Sequence, residues 1–338
     1  MLNKKEQHNV LVSIVMCVYN TNQEYLNQAV ASILNQTYTN IELFIVDDCS
    51  KKDLYQPSIF KDKRIKLLRN ENNMGPSFSR NKALKIASGE YIAIMDSDDI
   101  SLPSRIEEQV AFLNGHPEYV ACGTWFQHIG AKNNIVKREI DDNEYYRCCL
   151  LFGNVPTLLN SSMMIRRNIL IENDISFDDT LRIGEDYKMW VQLSRLGKMT
   201  NVKKVLVQYR IHEGQVTNNN KKNKKSLKYD AIVKCMQLDC ISPTFTDSEK
   251  YLFSLNFLDK KVKPYEYFKL LQKIIYENNK SLFFEEEALK HRVNEQWEKK
   301  IFSIHNPFTF VRLKLKLPSE SKNISLIKRK QILNHLRR

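Results

Sequence analysis

Two short acidic clusters stand out by their spacing. Asp96-Ser97-Asp98-Asp99 and Asp47-Asp48 each follow directly on an apolar run, Tyr91–Met95 and Ile41–Val46. Two carboxylates one residue apart at a chain reversal can hold a hard divalent cation. Mg2+ or Mn2+ commonly takes one or two protein carboxylates and fills its other positions with substrate phosphate oxygens. The same residue types also form turns and helix N-caps, and Asp99 or Ser101 is placed to cap a helix at Pro103. Spacing alone leaves both readings open.

The segments that carry these clusters alternate between strand and helix patterns. Leu11–Val18 is a short apolar run, as a strand buried on both faces requires. Leu26, Val30, Ile33 and Leu34 then recur at helical spacing. Ile41–Val46 and 64–68 read as strands, and 76–88 as a helix with Pro76 in its first turn and Gly89 at its stop. Tyr91–Met95 is a fourth strand, and 103–114 is helical, with Ile106, Val110 and Leu113 on one face. This alternation predicts an α/β fold, a Rossmann-like, mostly parallel sheet with flanking helices. Ligands of such sheets bind beyond the carboxyl ends of the strands, where both acidic clusters fall.

Farther along, strands are expected near 119–126 and 161–166, a helix over 184–196 with Met189, Leu193 and Leu196 inward, and a strand over 202–211. The polar run 218–225 reads as a basic linker or loop. It would divide a domain at 1–217 from a smaller helical region at 226–338, with helices near 226–241, 246–258, 264–278 and 284–302.

Composition narrows the class. Hydrophobic residues make up 42% and charged residues 27% of 338, which excludes wholesale disorder. No apolar run reaches the ~18–20 residues needed to span a bilayer, and the N-terminus predicts no secretory signal. Seven cysteines without C-x-x-C spacing (17, 49, 122, 148, 149, 235, 240) read as reduced, buried thiols of a cytoplasmic protein. The net charge of +13 is unevenly placed: residues 1–220 hold 26 basic and 26 acidic residues, residues 221–338 hold 26 and 13. Residues 301–338 carry nine Lys/Arg against Glu320 alone, interleaved with Leu, Ile and Phe. A solvated surface and a segment attaching to an anionic membrane both fit that composition. Nucleic acid is not expected, because no RNA-binding or helix-turn-helix signature accompanies the charge.

In this order the motifs resemble family 2 glycosyltransferases of the GT-A fold, over about residues 11–215. The matching stretches are Val12–Asn20, Val46-Asp47-Asp48-Cys49-Ser50, Asn72 to Asn81, Asp96-Ser97-Asp98-Asp99, Gly184-Glu185-Asp186 and Tyr209-Arg210-Ile211-His212. Cys17-Val18 stands where the family often has Pro-Thr or Thr-Ser, and Cys49 where it often has Gly. The resemblance implies a donor site containing Cys17, Tyr19, Asp48, Asn72, Arg80, Asp96 and Ser97, with Asp48 accepting from the uracil imide and Arg80 near the diphosphate. It implies a Mn2+ or Mg2+ ion held by Asp98, with Asp96 and His212 close by. Asp186 would be the catalytic base, with Glu185 as the alternative one residue away; either is also a favourable charge at a helix N-terminus. Trp190 would wall the acceptor site or belong to the core.

The activity so implied is metal-dependent, inverting transfer of a hexosyl or N-acetylhexosaminyl group. It would run from a UDP-sugar to a hydroxyl of a surface glycan or lipid-linked precursor, at the inner face of the cell membrane. A nucleotidyltransferase on a related sheet would want a Gly-rich loop after the first strand, and Val18-Tyr19-Asn20-Thr21-Asn22 has no glycine. A non-catalytic basic membrane- or nucleic-acid-binding protein is the other alternative, and the intact acidic set speaks against it.

Overall fold

The opening apolar run forms β1 (Val12–Val18), and the next helical pattern forms α1 (Gln23–Leu34), capped by the Asn22 side chain. Then follow β2 (Ile41–Asp47), β3 (Ile65–Arg69), α2 (Pro76–Leu84), β4 (Tyr91–Asp96), the two-residue β5 (Ile100–Ser101) and α3 (Arg105–Gly115). The computed structural model describes residues 9–51, 58–152, 158–181, 183–215, 225–257 and 262–302.

β1 lies between β2 and β4 and runs parallel to both, and β3 continues the parallel half beside β2. The chain thus builds outward on one side of β1 and then crosses to the other, which makes the β1/β4 junction a topological switch point. In this register Cys17 sits beside Asp96, and Val18 beside Asp47, so the strand ends that carry chemistry share one edge. Beyond β4 the sheet is no longer parallel. β6 (Tyr119–Gly130), β8 (Met164–Arg166) and β9 (Lys198–Ile211) complete the order β3-β2-β1-β4-β8-β6-β9-β5, with the short β7 (Ile135–Val136) on β6. β4–β8, β8–β6 and β5–β9 are antiparallel, and β6–β9 is parallel. The sheet is therefore mixed, and the mostly parallel expectation holds for its first half.

The core under this sheet joins Ile14, Met16, Leu43 and Ile45 to Leu26, Val30 and Ile33 of α1 and Ile106, Val110 and Leu113 of α3. One polar group is set among these strands. Glu42, 6% exposed, faces Ser13 across the β1–β2 pair and accepts from Ser13 Oγ, Lys66 Nζ and the Ser88 backbone N–H at 2.5, 2.6 and 2.8 Å. Ser13 Oγ in turn accepts from the Gly89 N–H at 2.8 Å. A Cβ on Gly89 would stand 2.6 Å from the Ser13 nitrogen, so this crossing needs glycine.

After β7 come α4 (Asn143–Phe152), α5 (Arg167–Glu172) and α6 (Glu185–Leu193). α6 ends before Leu196, which is 39% exposed rather than inward. The helices of the C-terminal region are α7 (Lys225–Ile241), α8 (Asp247–Phe257), α9 (Pro264–Ser281) and α10 (Glu286–Phe302). Two compact units result, Met1–Arg147 with Asn154–Val233, and Cys148–Gly153 with Lys234–Arg338. The division falls inside α7 rather than at 218–225, a run whose residues 218–224 lie outside the described residues. The second unit has its own core: α9 turns Tyr267, Leu270, Leu271 and Ile274 inward at helical spacing, with Phe253, Val293 and Trp297. Residues 303–338, nearly all of the basic segment, lie outside the described residues.

Burial alone would raise the Glu42 carboxyl, but the hydrogen bonds from Lys66, Ser13 and Ser88 outweigh it and hold its pKa at about 2. With a folded value below the unfolded one, its stabilisation is complete above pH ~4.5 and is lost as pH falls towards 2. Glu42→Gln should cost about 2 kcal/mol at pH 7 in urea melts. The gap from wild type should close between pH ~4.5 and 2; a constant gap would refute the assignment.

Candidate active site

The carboxyl ends of β1, β2 and β4 open into a cleft of about 1180 Å³, walled on its far side by α6 and the end of β9. Cys17, Tyr19, Asp48, Arg80, Asp96, Ser97, Asp98, Glu185, Asp186 and His212 all line it. Ten of the eleven residues singled out from sequence therefore meet at one site. The eleventh, Asn72, is exposed on its loop, and its neighbour Asn73 faces the cleft instead.

At the end of β2 the two aspartates do different work. Asp47 closes its own turn, accepting from the Ser50 N–H at 2.9 Å and pairing with Arg69 at 3.5 Å. Asp48 holds the loop ahead of α2: Oδ1 accepts from Asn70 Nδ2 and the Met74 N–H, and Oδ2 from the Gly75 N–H, each at 2.8 Å. Gly75 has a φ of 92°, a backbone that favours glycine, and it starts the helix that carries Arg80. Cys17 packs at the floor with its thiol against the Pro76 carbonyl, and burial pushes it up to about 12, well outside nucleophile range.

Arg80 is the buried cation of the site. Its Nη1 donates to Glu185 Oε1 at 2.7 Å and its Nη2 to Asp96 Oδ1 at 3.4 Å, and it lies 5.1 Å from the Phe177 ring centroid. Burial penalises the charge, but Glu185 and Asp96 more than offset it and raise its pKa. Gly184, at φ 81°, turns the chain into α6 so that successive residues diverge. Both border the cleft, but Glu185 is buried against Arg80, whereas Asp186 is half-buried. Trp190 has only 1% of its surface exposed yet borders the cleft, so it is core and wall at once.

The Asp-x-Asp turn is held from several sides. The Asp96 N–H donates to Ser161 Oγ at 2.9 Å, and Asp96 Oδ1 accepts from Asn160 Nδ2 at 3.3 Å. Ser97 Oγ meets Thr21 Oγ1 at 2.7 Å. β5 pairs with β9 through Ile100↔Gln208, which brings the acidic turn against Arg210–His212. There Asp98 Oδ2 meets His212 Nε2 at 2.9 Å. Burial and the neighbouring Asp96 raise the Asp98 carboxyl, opposed by His212. Among the described residues, no three ligating side chains already converge as a cation site. A hard cation that draws most of its ligands from a diphosphate needs fewer, and the oxygen and nitrogen donors of Asp98, Asp96 and His212 fit Mn2+ or Mg2+. Asn70, Asn73, Asn160 and Ser161 were not anticipated from sequence: short amides and hydroxyls in loops carry no spacing signal.

A switch-point crevice lined by an acidic turn and a helix-borne carboxylate, on this mixed sheet, defines a GT-A glycosyltransferase fold. The family model for glycosyl transferase family 2 matches residues 13–173. The chain is 33% identical over 288 residues to an uncharacterized glycosyltransferase of Haemophilus influenzae, spanning 80% of this chain and 86% of that protein. Another, of Methanocaldococcus jannaschii, is 34% identical over 212 residues, 61% of this chain and 72% of its own. Among solved structures, residues 1–349 of S. aureus TarS in complex with UDP-GlcNAc superpose with a TM-score of 0.57 at 19% identity, covering 84% of this chain and 83% of that one. A longer TarS chain gives 0.53 at 18% identity, with 84% and 50% covered. The chain belongs to glycosyltransferase family 2.

The Arg80–Glu185 pair, with side chains 7% and 10% exposed, sets a stability test. Removing one charge from a buried pair strands the other. Glu185→Gln should therefore lower unfolding free energy by about 3 kcal/mol in denaturant melts, whereas Asp186→Asn, one residue away, should cost far less. Equal costs would mean that the two side chains do not divide their roles in this way.

Proposed function

We propose that this glycosyltransferase is an inverting, metal-dependent enzyme that moves a hexosyl or N-acetylhexosaminyl group from a UDP-sugar to a hydroxyl of a bacterial surface-glycan precursor. The observation that carries the reading is the divergence of Glu185 and Asp186. Both border the cleft, but Glu185 is buried and paired with Arg80 at 2.7 Å, whereas Asp186 is half-buried, which favours Asp186 as the base.

In the proposed reaction the acceptor hydroxyl attacks the anomeric carbon from the face opposite the nucleotide. The new C–O bond forms as the bond to the diphosphate breaks, the hydroxyl proton passes to Asp186, and the configuration inverts in one displacement. Asp48 and Tyr19 lie at the end of the cleft assigned to the base, and Arg80 lies beneath the position assigned to the diphosphate. Asp98, with Asp96 and His212, would hold the cation, which would supply charge stabilisation on the departing nucleoside diphosphate. A UDP-linked donor is supported by TarS, which shares the fold and was solved with UDP-GlcNAc and with UDP. Family membership sets the nucleotidyltransferase alternative aside.

Asp186→Asn should lower kcat by at least ~10²-fold while UDP-sugar affinity stays near wild type. EDTA should abolish turnover, Mn2+ or Mg2+ should restore it, and UDP should bind far better than CDP. An active Asp186→Asn beside a dead Glu185→Gln would move the base by one residue.

Membrane attachment belongs to the same proposal. No helix among the described residues is long and apolar enough to cross a membrane. The support for peripheral attachment is the composition of 301–338, nine cations interleaved with apolar residues. A chain lacking 303–338, with an unchanged melting temperature, should no longer sediment with anionic vesicles and should still hydrolyse UDP-sugar. Undiminished sedimentation would refute the attachment.

A further inference from the structure

We propose that Arg210 is a positioning residue of the cation site, holding Asp98 and His212 at a fixed separation; the inference rests on the metal reading above. Arg210 is not among the residues facing the cleft, so it acts through others. Its Nε donates to the Asp98 carbonyl at 2.8 Å, and its backbone N–H donates to Asp99 Oδ1 at 2.8 Å. Its Nη2 donates to Gln28 Oε1 on α1 at 2.7 Å, and its guanidinium lies 4.3 Å from the Tyr25 ring centroid. The Tyr25 ring is 5.4 Å from that of His212. Gln215 completes the turn, donating to the Arg210 carbonyl and accepting from the His212 N–H at 3.3 Å.

One side chain therefore ties three elements together. The acidic turn, the end of β9 and α1 all meet at Arg210 and the Tyr25 ring, beside the β5–β9 pairing and the Asp98–His212 contact. Asp98 and His212 come from segments 114 residues apart in sequence, and each sits on a turn rather than inside a helix or strand. Side chains so placed hold a ligand geometry only when their supports are fixed. The planar guanidinium reaches Asp98 and Gln28 at once and stacks on Tyr25, whereas a lysine ammonium can satisfy one of these contacts at a time.

The test uses the full chain with Mn2+ as probe. Free Mn2+ is read by its electron paramagnetic resonance signal in the presence of UDP, alongside UDP affinity in chelator and the melting temperature. Arg210→Lys should weaken Mn2+ binding about 10-fold or more, with UDP affinity in chelator and melting temperature near wild type. Turnover in this variant should recover as Mn2+ is raised. Gln28→Ala, which removes only the far anchor, should weaken Mn2+ by a smaller factor in the same direction. Mn2+ affinity equal to wild type in Arg210→Lys overturns the proposal, as does an equal loss of Mn2+ affinity, chelator-insensitive UDP binding and thermal stability. Should Arg210→Lys fail to fold, Gln28→Ala decides, and unchanged Mn2+ affinity there overturns it. A wild-type chain that binds no Mn2+ with UDP removes the metal reading itself, and this proposal with it.

Discussion

A guanidinium taken out of water is tolerable only when carboxylates and carbonyls replace its hydration, and in this protein that requirement organises the cleft. Arg80 stands on α2, Asp96 at the end of β4 and Glu185 at the start of α6, and the three meet in the wall of the cleft. Each acid fixes one element relative to the helix that carries the arginine. Because the pair is buried, the elements cannot drift apart without exposing an uncompensated charge. The turn into α6 must then place its second acid elsewhere, and Gly184, in the left-handed region, makes that turn. The separation of Glu185 from Asp186 follows from the demand of Arg80.

Asp48 applies the same logic to the nucleotide side. Its carboxylate accepts from Asn70, Met74 and Gly75, so it shapes the loop that starts α2 before any ligand arrives. A residue assigned to base recognition by resemblance thus also aims Arg80. Truncating it would disturb loop and pocket together, which makes it a poor reporter of nucleotide recognition.

Much of this was legible in the sequence because it is local. The apolar runs gave strands, the acidic residues at their ends gave the edge of the cleft, and the C-terminal helices fall within a few residues of their periodic patterns. What escaped is non-local. Arg80 and Glu185 are 105 residues apart, and nothing in either neighbourhood announces the pair. The antiparallel half of the sheet depends on pairings that a sequence pattern does not show. β8 falls within the strand expected near 161–166, but its pairing with β4 and β6 is non-local, and β5, two residues long, is too short for any periodicity. Asn72 and Asn73 differ only by a turn geometry that adjacent polar residues do not encode. Cys49 is a partial exception: its φ of 64° shows that this turn needs a left-handed residue, a physical reason for the glycine often found there in the family it resembles.

The acidic turn itself is an unfavourable construction that the surrounding protein makes tenable. Three carboxylates within four residues repel one another. Burial and this mutual repulsion raise Asp98, and raise Asp99 well above its ordinary value. Two cations respond from inside. Arg210 gives its backbone N–H to Asp99 and its Nε to the Asp98 carbonyl. Arg105, wholly buried, is anchored by the Ile94 carbonyl and Gln109; burial lowers its pKa to about 10, with Asp99 and Asp96 opposing that shift. Neither of these two arginines lines the cleft, where Asp96 meets Arg80 and Asp98 meets His212 instead. The turn is thus held from behind by two arginines, while on its cleft side Asp96 and Asp98 with His212 turn oxygen and nitrogen donors toward the opening.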